Sequence, residues 1–529
     1  MQRRDFLAAS AAAALATPAA VGPASAQQAP RKGGTMTMIL QPEPAILNLA
    51  INQQTPVAMV CGKVNQSLLS YGFDLTPKPC LAKSWEMSPD GLTYTFKLFE
   101  NVQWHDGQPF TSDDVVWNHT DFLPNVHSRA RLTYERVASV TAPDKYTVVF
   151  KLKQPFAPFI KTFELNSAPL YPKHVYAGTD YKTNPSNIKP IGTGPFKFAE
   201  WQSGNFIRLV RNDKYHMEGK PYLDQIILRI LPDAQSRLIA VQTGQVDVAS
   251  WVDIDYVLLP QLRSDPKLTI TGQGYEFASP ITWLEINNRN KPFDDKRVRQ
   301  AVLTALDRDF IVRSIFAGQC KVAHGPIASV TTHFDPNVLK RPFDPKQAEA
   351  LLDEAGLKRG AGGVRFKARL LPLPYGETWQ RLAEYCRQAL EKVGIGITME
   401  SSDAGGWAQR VSNWDFDLTI NALSQYGDAA LGVARSYVSS NIRKGVYATN
   451  TEGYVNKRVD ELFDQAAVEI DMAKRSALYA EMQKIVTDEV PVAWIAEMKY
   501  PTIINNRAHD VVTTSDGTVD GMADAWLSA

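Results

Sequence analysis

Eight histidines and four cysteines are the residues of this chain best suited to hold a metal or attack a substrate. Their spacing argues against both. No histidine falls in HExxH, which would set two imidazoles on one helix face around zinc, and no cysteine pair has metal-ligand spacing. His105, in Trp104-His105-Asp106-Gly107, reads as a turn histidine with local hydrogen bonds. There is no GxSxG elbow and no phosphate-binding P-loop. Gly192-Thr193-Gly194 lacks the third glycine of a dinucleotide fingerprint, and the Gly360–Gly363 cluster does not lead from a strand into a helix. Neither a catalytic residue nor a metal ligand nor a resident cofactor is expected, so the chain is not read as an enzyme.

The positive signal is positional. Arg365–Leu371 reads as a strand, Glu377–Val393 as a helix and Ile395–Ser401 as a strand, followed by a short helix Trp407–Ser412 and a strand Phe416–Leu423. Strands joined by helical crossovers form a parallel sheet, and ligands of such sheets sit beyond the carboxyl ends of the strands. Three loops meet that description. They offer Tyr375, then Asp403 and Trp407, then Gln425, Tyr426 and Asp428 as candidate ligand-binding residues. Aromatic faces mixed with polar groups suit a small polar or amphipathic solute. On this reading Trp407→Ala and Gln425→Ala weaken binding yet change stability by no more than about 1 kcal/mol.

Other elements support two unlike halves. Asp90-Gly91 between alternating runs, and Pro143-Asp144-Lys145 before Tyr146–Leu152, predict hairpins in a strand-rich region, 64–189. Strands are expected at Thr35–Leu40, Phe196–Trp201 and Phe206–Arg211. Farther on, Asp294 or Asp295 caps a helix reaching Leu306, and Asp344-Pro345 opens another that ends at Gly356. Helices follow at Val459–Glu469 and Ala473–Asp488. A β-rich first half and an α/β second half are expected to have separate cores, with a cleft between them.

Composition narrows the class. With 529 residues the chain has room for two or three domains. Hydrophobic content of 44% is ordinary for a soluble globular protein. A formal net charge of +1 argues against a nucleic-acid partner. Arg3-Arg4-Asp5-Phe6-Leu7, an Ala-rich stretch and Ala24-Ser25-Ala26 predict a twin-arginine signal peptide, residues 1–26, cleaved after Ala26. Removing its two Arg and one Asp leaves a neutral mature chain. The first cysteine is Cys61, so no lipid anchor is expected, and no later run reaches the ~18 apolar residues that span a bilayer. A free periplasmic monomer follows. Cys61, Cys80, Cys320 and Cys386 could pair in that oxidising compartment, and spacing does not say which would.

Several blocks then carry a resemblance. Leu81-Ala82-Lys83-Ser84-Trp85-Glu86 with Ser88-Pro89-Asp90-Gly91-Leu92-Thr93-Tyr94 is similar to the most recognisable stretch of the family 5 extracellular solute-binding proteins. Gly192-Thr193-Gly194-Pro195-Phe196, Arg211-Asn212-Asp213 and Pro292-Phe293-Asp294-Asp295 resemble later blocks, in order, across the mature chain. The resemblance implies an α/β periplasmic-binding-protein fold of the large, three-part type, its two lobes closing on a solute by a hinge. Residues 27–275 with 498–529 would form lobe I, with an inserted subdomain at about 64–189, and 276–497 would form lobe II. It also implies a receptor that hands a peptide or peptide-like solute to ABC permease subunits; a metal chelate or an opine- or sugar-like solute stays open. Members that take short peptides hold the amino group with an Asp where this chain has Gln425, and dipeptide receptors hold the carboxylate with an Arg where it has Leu373. A buried ionic end without a countercharge costs several kcal/mol, so a dipeptide with both ends free is disfavoured. A chaperone or a cofactor enzyme would be remote alternatives.

Overall fold

A computed structural model of the chain describes residues 29–528. The predicted signal peptide lies outside the described residues. Three sheets organise the rest. Thr35–Leu40 runs through a seven-stranded sheet between the parallel strands Gln225–Ile230 and Val248–Ala249. The predicted pair Phe196–Gln202 and Phe206–Arg211 extends one edge; Thr502–Asn505 and Leu268–Thr271 complete the other.

A six-stranded sheet follows the order Lys321–Val322, Val492–Glu497, Ile281–Ile286, Leu418–Leu423, Phe366–Leu371, Ile395–Met399. Its last three strands are parallel, as the strand–helix alternation predicts. The first three join antiparallel, so the sheet is mixed. Ile281–Ile286 and Val492–Glu497 are buried at every position, which is what central strands covered on both faces require.

The two predicted hairpins pair into a four-stranded antiparallel sheet, Ala82–Met87, Thr93–Leu98, Thr147–Leu152 and Val137–Asp144. The first turn is held by Asp90, whose carboxylate accepts from Leu92 N at 3.0 Å, with Gly91 at φ +68°. Phe96, Phe150 and Phe163 interlock beneath the sheet, with centroids 4.7–5.7 Å apart. Such pairs add about 0.5–1.5 kcal/mol each beyond their burial.

Three expectations need correction. The cores of the two halves are not separate: strand alternation sends Met36, Met38 and Leu40 to one face, against helix Thr55–Val64, while Ile39 faces the core of the second sheet. Tyr256 on Phe316, at 5.4 Å, carries that contact between halves. The helix expected from Trp407 begins at Ala404, because the Asp403 carboxylate accepts from Gly406 N at 2.7 Å and so starts the helix across two glycines. The strand-rich region also holds a helix, Ser112–Trp117, opened by a capping box in which Thr111 N donates to the Asp114 carboxylate at 3.0 Å.

All four cysteines are free thiols, and burial pushes each up to about 12, which leaves them unreactive. Gly192 and Gly194 serve packing. A Cβ at either would fall 1.9 or 2.5 Å from backbone oxygens at the end of helix Thr55–Val64. His105 lies beside them, bonded to Gly194 O at 2.9 Å.

Candidate functional site

The chain passes between the seven- and six-stranded sheets twice, through residues 272–280 and 498–501. At these crossings Trp251, Tyr275 and Tyr500 form a triangle of rings with centroids 4.8, 5.2 and 5.6 Å apart. Trp251 Nε1 is buried there without a protein acceptor. Two connections and an aromatic pivot are the parts a hinge needs.

The loops after the parallel strands do converge, and the residue at their centre is Tyr447. Its phenol is pushed up by burial, then by the Glu285 charge and the neighbouring Tyr375 and Tyr426 phenols. Trp407 lies 5.5 Å from its ring. Yet Tyr447 keeps 41% of its surface open and Tyr375 keeps 58%, so both present aromatic surface to solvent rather than core. The Tyr447 hydroxyl donates to Asn421 Oδ1 across a long 3.4 Å, and Asn421 Nδ2 donates to Glu285 Oε2 at 2.7 Å. Burial pushes the Glu285 carboxyl up, while hydrogen bonds from Thr451, Asn421 and Trp283 act to lower it. Sequence reasoning missed Tyr447 because its loop carries no motif.

The other candidate residues divide by what already holds them. Trp407 is 1% exposed and donates from Nε1 to Thr419 Oγ1 at 3.0 Å. It is a core residue, so the expectation that Trp407→Ala is nearly neutral for stability is overturned. Gln425 is buried, with Oε1 accepting from Ala328 N at 3.0 Å and Nε2 donating to Pro326 O at 2.9 Å. Its backbone N donates to Ala278 O at 2.7 Å, and Gly432 lacks the Cβ that would stand 2.3 Å from Gln425 Cα. Asp428 takes two hydrogen bonds from Arg475, both 2.7 Å, with each side chain 4% exposed. His333 Nε2 accepts from the same guanidinium at 3.0 Å, and burial lowers this imidazole to about 4, so it is neutral. Asp403 is the helix cap described above.

Tyr426 is different. It sits at φ +53°, a left-handed conformation that a non-glycine residue adopts at a cost of roughly 1–2 kcal/mol. Its ring meets two guanidiniums, with Arg129 Cζ at 3.9 Å and Arg435 Cζ at 5.2 Å from the centroid, and its phenol hydrogen-bonds Arg435. Burial alone would raise its phenol; the two cations outweigh this and lower it. Glu164, which faces the Tyr426 phenol electrostatically, belongs to a group of carboxylates with Glu276 and Asp516, all pushed up chiefly by burial. Among the described residues no group of three His, Cys, Asp or Glu is placed to hold a metal ion.

Comparison with known proteins bears on this architecture. A model of the bacterial extracellular solute-binding proteins, family 5 (middle region), matches residues 76–444. The oligopeptide-binding protein AppA of Bacillus subtilis is 30% identical over 88% of this chain and 86% of its own length. Di/tripeptide-binding protein 2 of Pseudomonas aeruginosa is 28% identical over 82% of this chain and 83% of its own. The structure of the B. subtilis AppA protein in complex with a nonapeptide superposes with a TM-score of 0.79 at 26% identity, covering 95% of this chain and all of the other. The two-lobe α/β fold of periplasmic binding proteins is thereby established, and the chain belongs to the bacterial extracellular solute-binding proteins, family 5.

Proposed function

We propose that this protein is the solute-capturing receptor of an ABC importer, working as a monomer in the periplasm, and that it takes a peptide or peptide-like solute between two lobes and presents it to membrane permease subunits. Lobe I comprises residues 27–275 with 498–529, including the subdomain at about 64–189; lobe II comprises 276–497. The twin-arginine leader, cleaved after Ala26, would deliver the chain already folded. Solute binding shifts an open–closed equilibrium about the two crossings, and no bond is made or broken.

The observation that carries this reading is the group of solvent-facing Tyr375 and Tyr447 with Tyr426 beside the carboxyl ends of parallel strands. Relatives named for oligopeptide and di/tripeptide binding favour peptides as the class. At Gln425 both amide atoms are bonded to the 326–328 loop, so this side chain supports the fold and is not an anionic seat for an amino terminus. Thermal-shift measurements against di- to nonapeptides, opines, sugars and a nickel–histidine chelate test the class. A rise in melting temperature with peptides is expected; a rise with non-peptide solutes alone would replace the ligand class.

A further inference from the structure

We propose that the inserted subdomain, about 64–189, is a latch: its apolar core extends onto lobe II, and this seam favours closed lobes in the absence of solute. The proposal goes beyond the receptor reading and rests on it for the two lobes and their hinge.

The seam starts at the first crossing, where Phe277 packs on Tyr71 of the subdomain with ring centroids 4.9 Å apart. From there the buried cluster that holds Phe159 and Phe163 takes in Ala467 of helix Lys457–Val468, and Tyr426, Ala430 and Leu431 of lobe II pack against it. At the outer end Ile470, just past that helix, meets the hairpin turn at 88–92. A Cβ on Gly91 would stand 2.9 Å from Ile470 Cγ2 and 3.6 Å from Pro155 Cβ, so the bare glycine makes the seat for the isoleucine. Exposure rises along the seam from 9% at Ala467 to 40% at Ile470, which places Ile470 at its rim rather than in the core of lobe II. Charge runs the same way: Lys161, on the segment Ala157–Phe163, faces the Asp428 carboxylate of lobe II electrostatically.

The contact of Tyr256 with Phe316 is of another kind. The Tyr256 hydroxyl donates to Lys499 O at 3.3 Å, in the second crossing, so this contact lies on the pivot and turns with it. The subdomain seam reaches out to residues 426–431 and 467–470, which opening would carry away from the subdomain. Returning those apolar groups to water opposes opening. A solute held by the closed form then binds more tightly in proportion to the fraction of free protein already closed.

The test uses the full chain with one spin label on each lobe, at Lys83→Cys and Lys457→Cys, both exposed positions. The four native thiols, each pushed up to about 12 by burial, do not compete for the label. Distances are read by double electron–electron resonance after exhaustive dialysis, with native mass spectrometry showing that no small mass is bound. The parent should give one short distance. Ile470→Asp should raise the population at longer distance about fivefold or more at an unchanged melting temperature, and Ile470→Leu should restore the parent distribution. Ile470→Ala gives the same reading if the Asp variant folds poorly. A parent already at the longer distance, or variants with the parent distribution, overturns the latch. A lowered melting temperature with no change in distance overturns it as well, because the seam is then a fixed joint. The receptor reading stands or falls separately, on the thermal-shift screen.

Discussion

Arg475 and Arg435 stand in the same lobe, and their surroundings differ in one decisive respect. Arg475 meets Asp428 through two 2.7 Å hydrogen bonds, deep enough that each side chain is 4% exposed. Arg435 meets two carbonyls and the Tyr426 side chain, ring and phenol, with no carboxylate among them. In a low-dielectric setting the first arrangement is a neutral, rigid pair, while the second is a cation held by dipoles and an aromatic ring. A charge neutralised by its partner thus stands beside one that is not, although Asp428 and Tyr426 lie in the same short loop.

Asp428→Ala strands the Arg475 guanidinium in the interior and should cost about 3–5 kcal/mol in urea unfolding; a loss under 1 kcal/mol would mean the pair is not the strut described. Trp407→Ala, emptying a core site, should fall in the same range of about 3–5 kcal/mol. Gln425→Ala leaves Ala328 N and Pro326 O without their partners and should cost about 1–3 kcal/mol. Binding beyond that expected from lost folded protein should be unaffected, and a specific loss of affinity would return Gln425 to the ligand.

The smallest effect concerns His333, which lies against the same ion pair. Burial, partly offset by Asp428, lowers it from 6.5 to about 4. Between these values the unfolded chain holds a proton that the native state does not, so this group's share of stability is present above pH 6.5 and is lost as pH falls toward 4. Burial pushes Asp253 up to about 7, which acts in the opposite sense, so the informative quantity is a difference between variants. His333→Gln should reduce the pH slope of stability in this window by up to about one proton; an unchanged slope would show that the imidazole is not held neutral.

Much of the scaffold was legible because its signals are local. Asp90-Gly91 gave a hairpin, Asp344 with Pro345 gave a helix start, and alternation gave the three parallel strands. The antiparallel additions to the six-stranded sheet were not legible, since Ile281–Ile286 and Val492–Glu497 pair across two hundred residues of sequence and leave no periodic trace. At the candidate site, residue type did not disclose the roles. Asp403 and Asp428 look like ligand carboxylates in sequence, and one proves to be a helix cap and the other half of an ion pair. Arg435 and Tyr447 gave no signal because their importance depends on Arg129, Tyr426 and Glu285, which only the folded chain brings near.

Native mass spectrometry of the protein, purified gently from its host, is the most direct test of solute capture. A retained small mass with a peptide formula, released on denaturation, is expected. A bound metal or redox cofactor, or a retained solute with no peptide character, would contradict it.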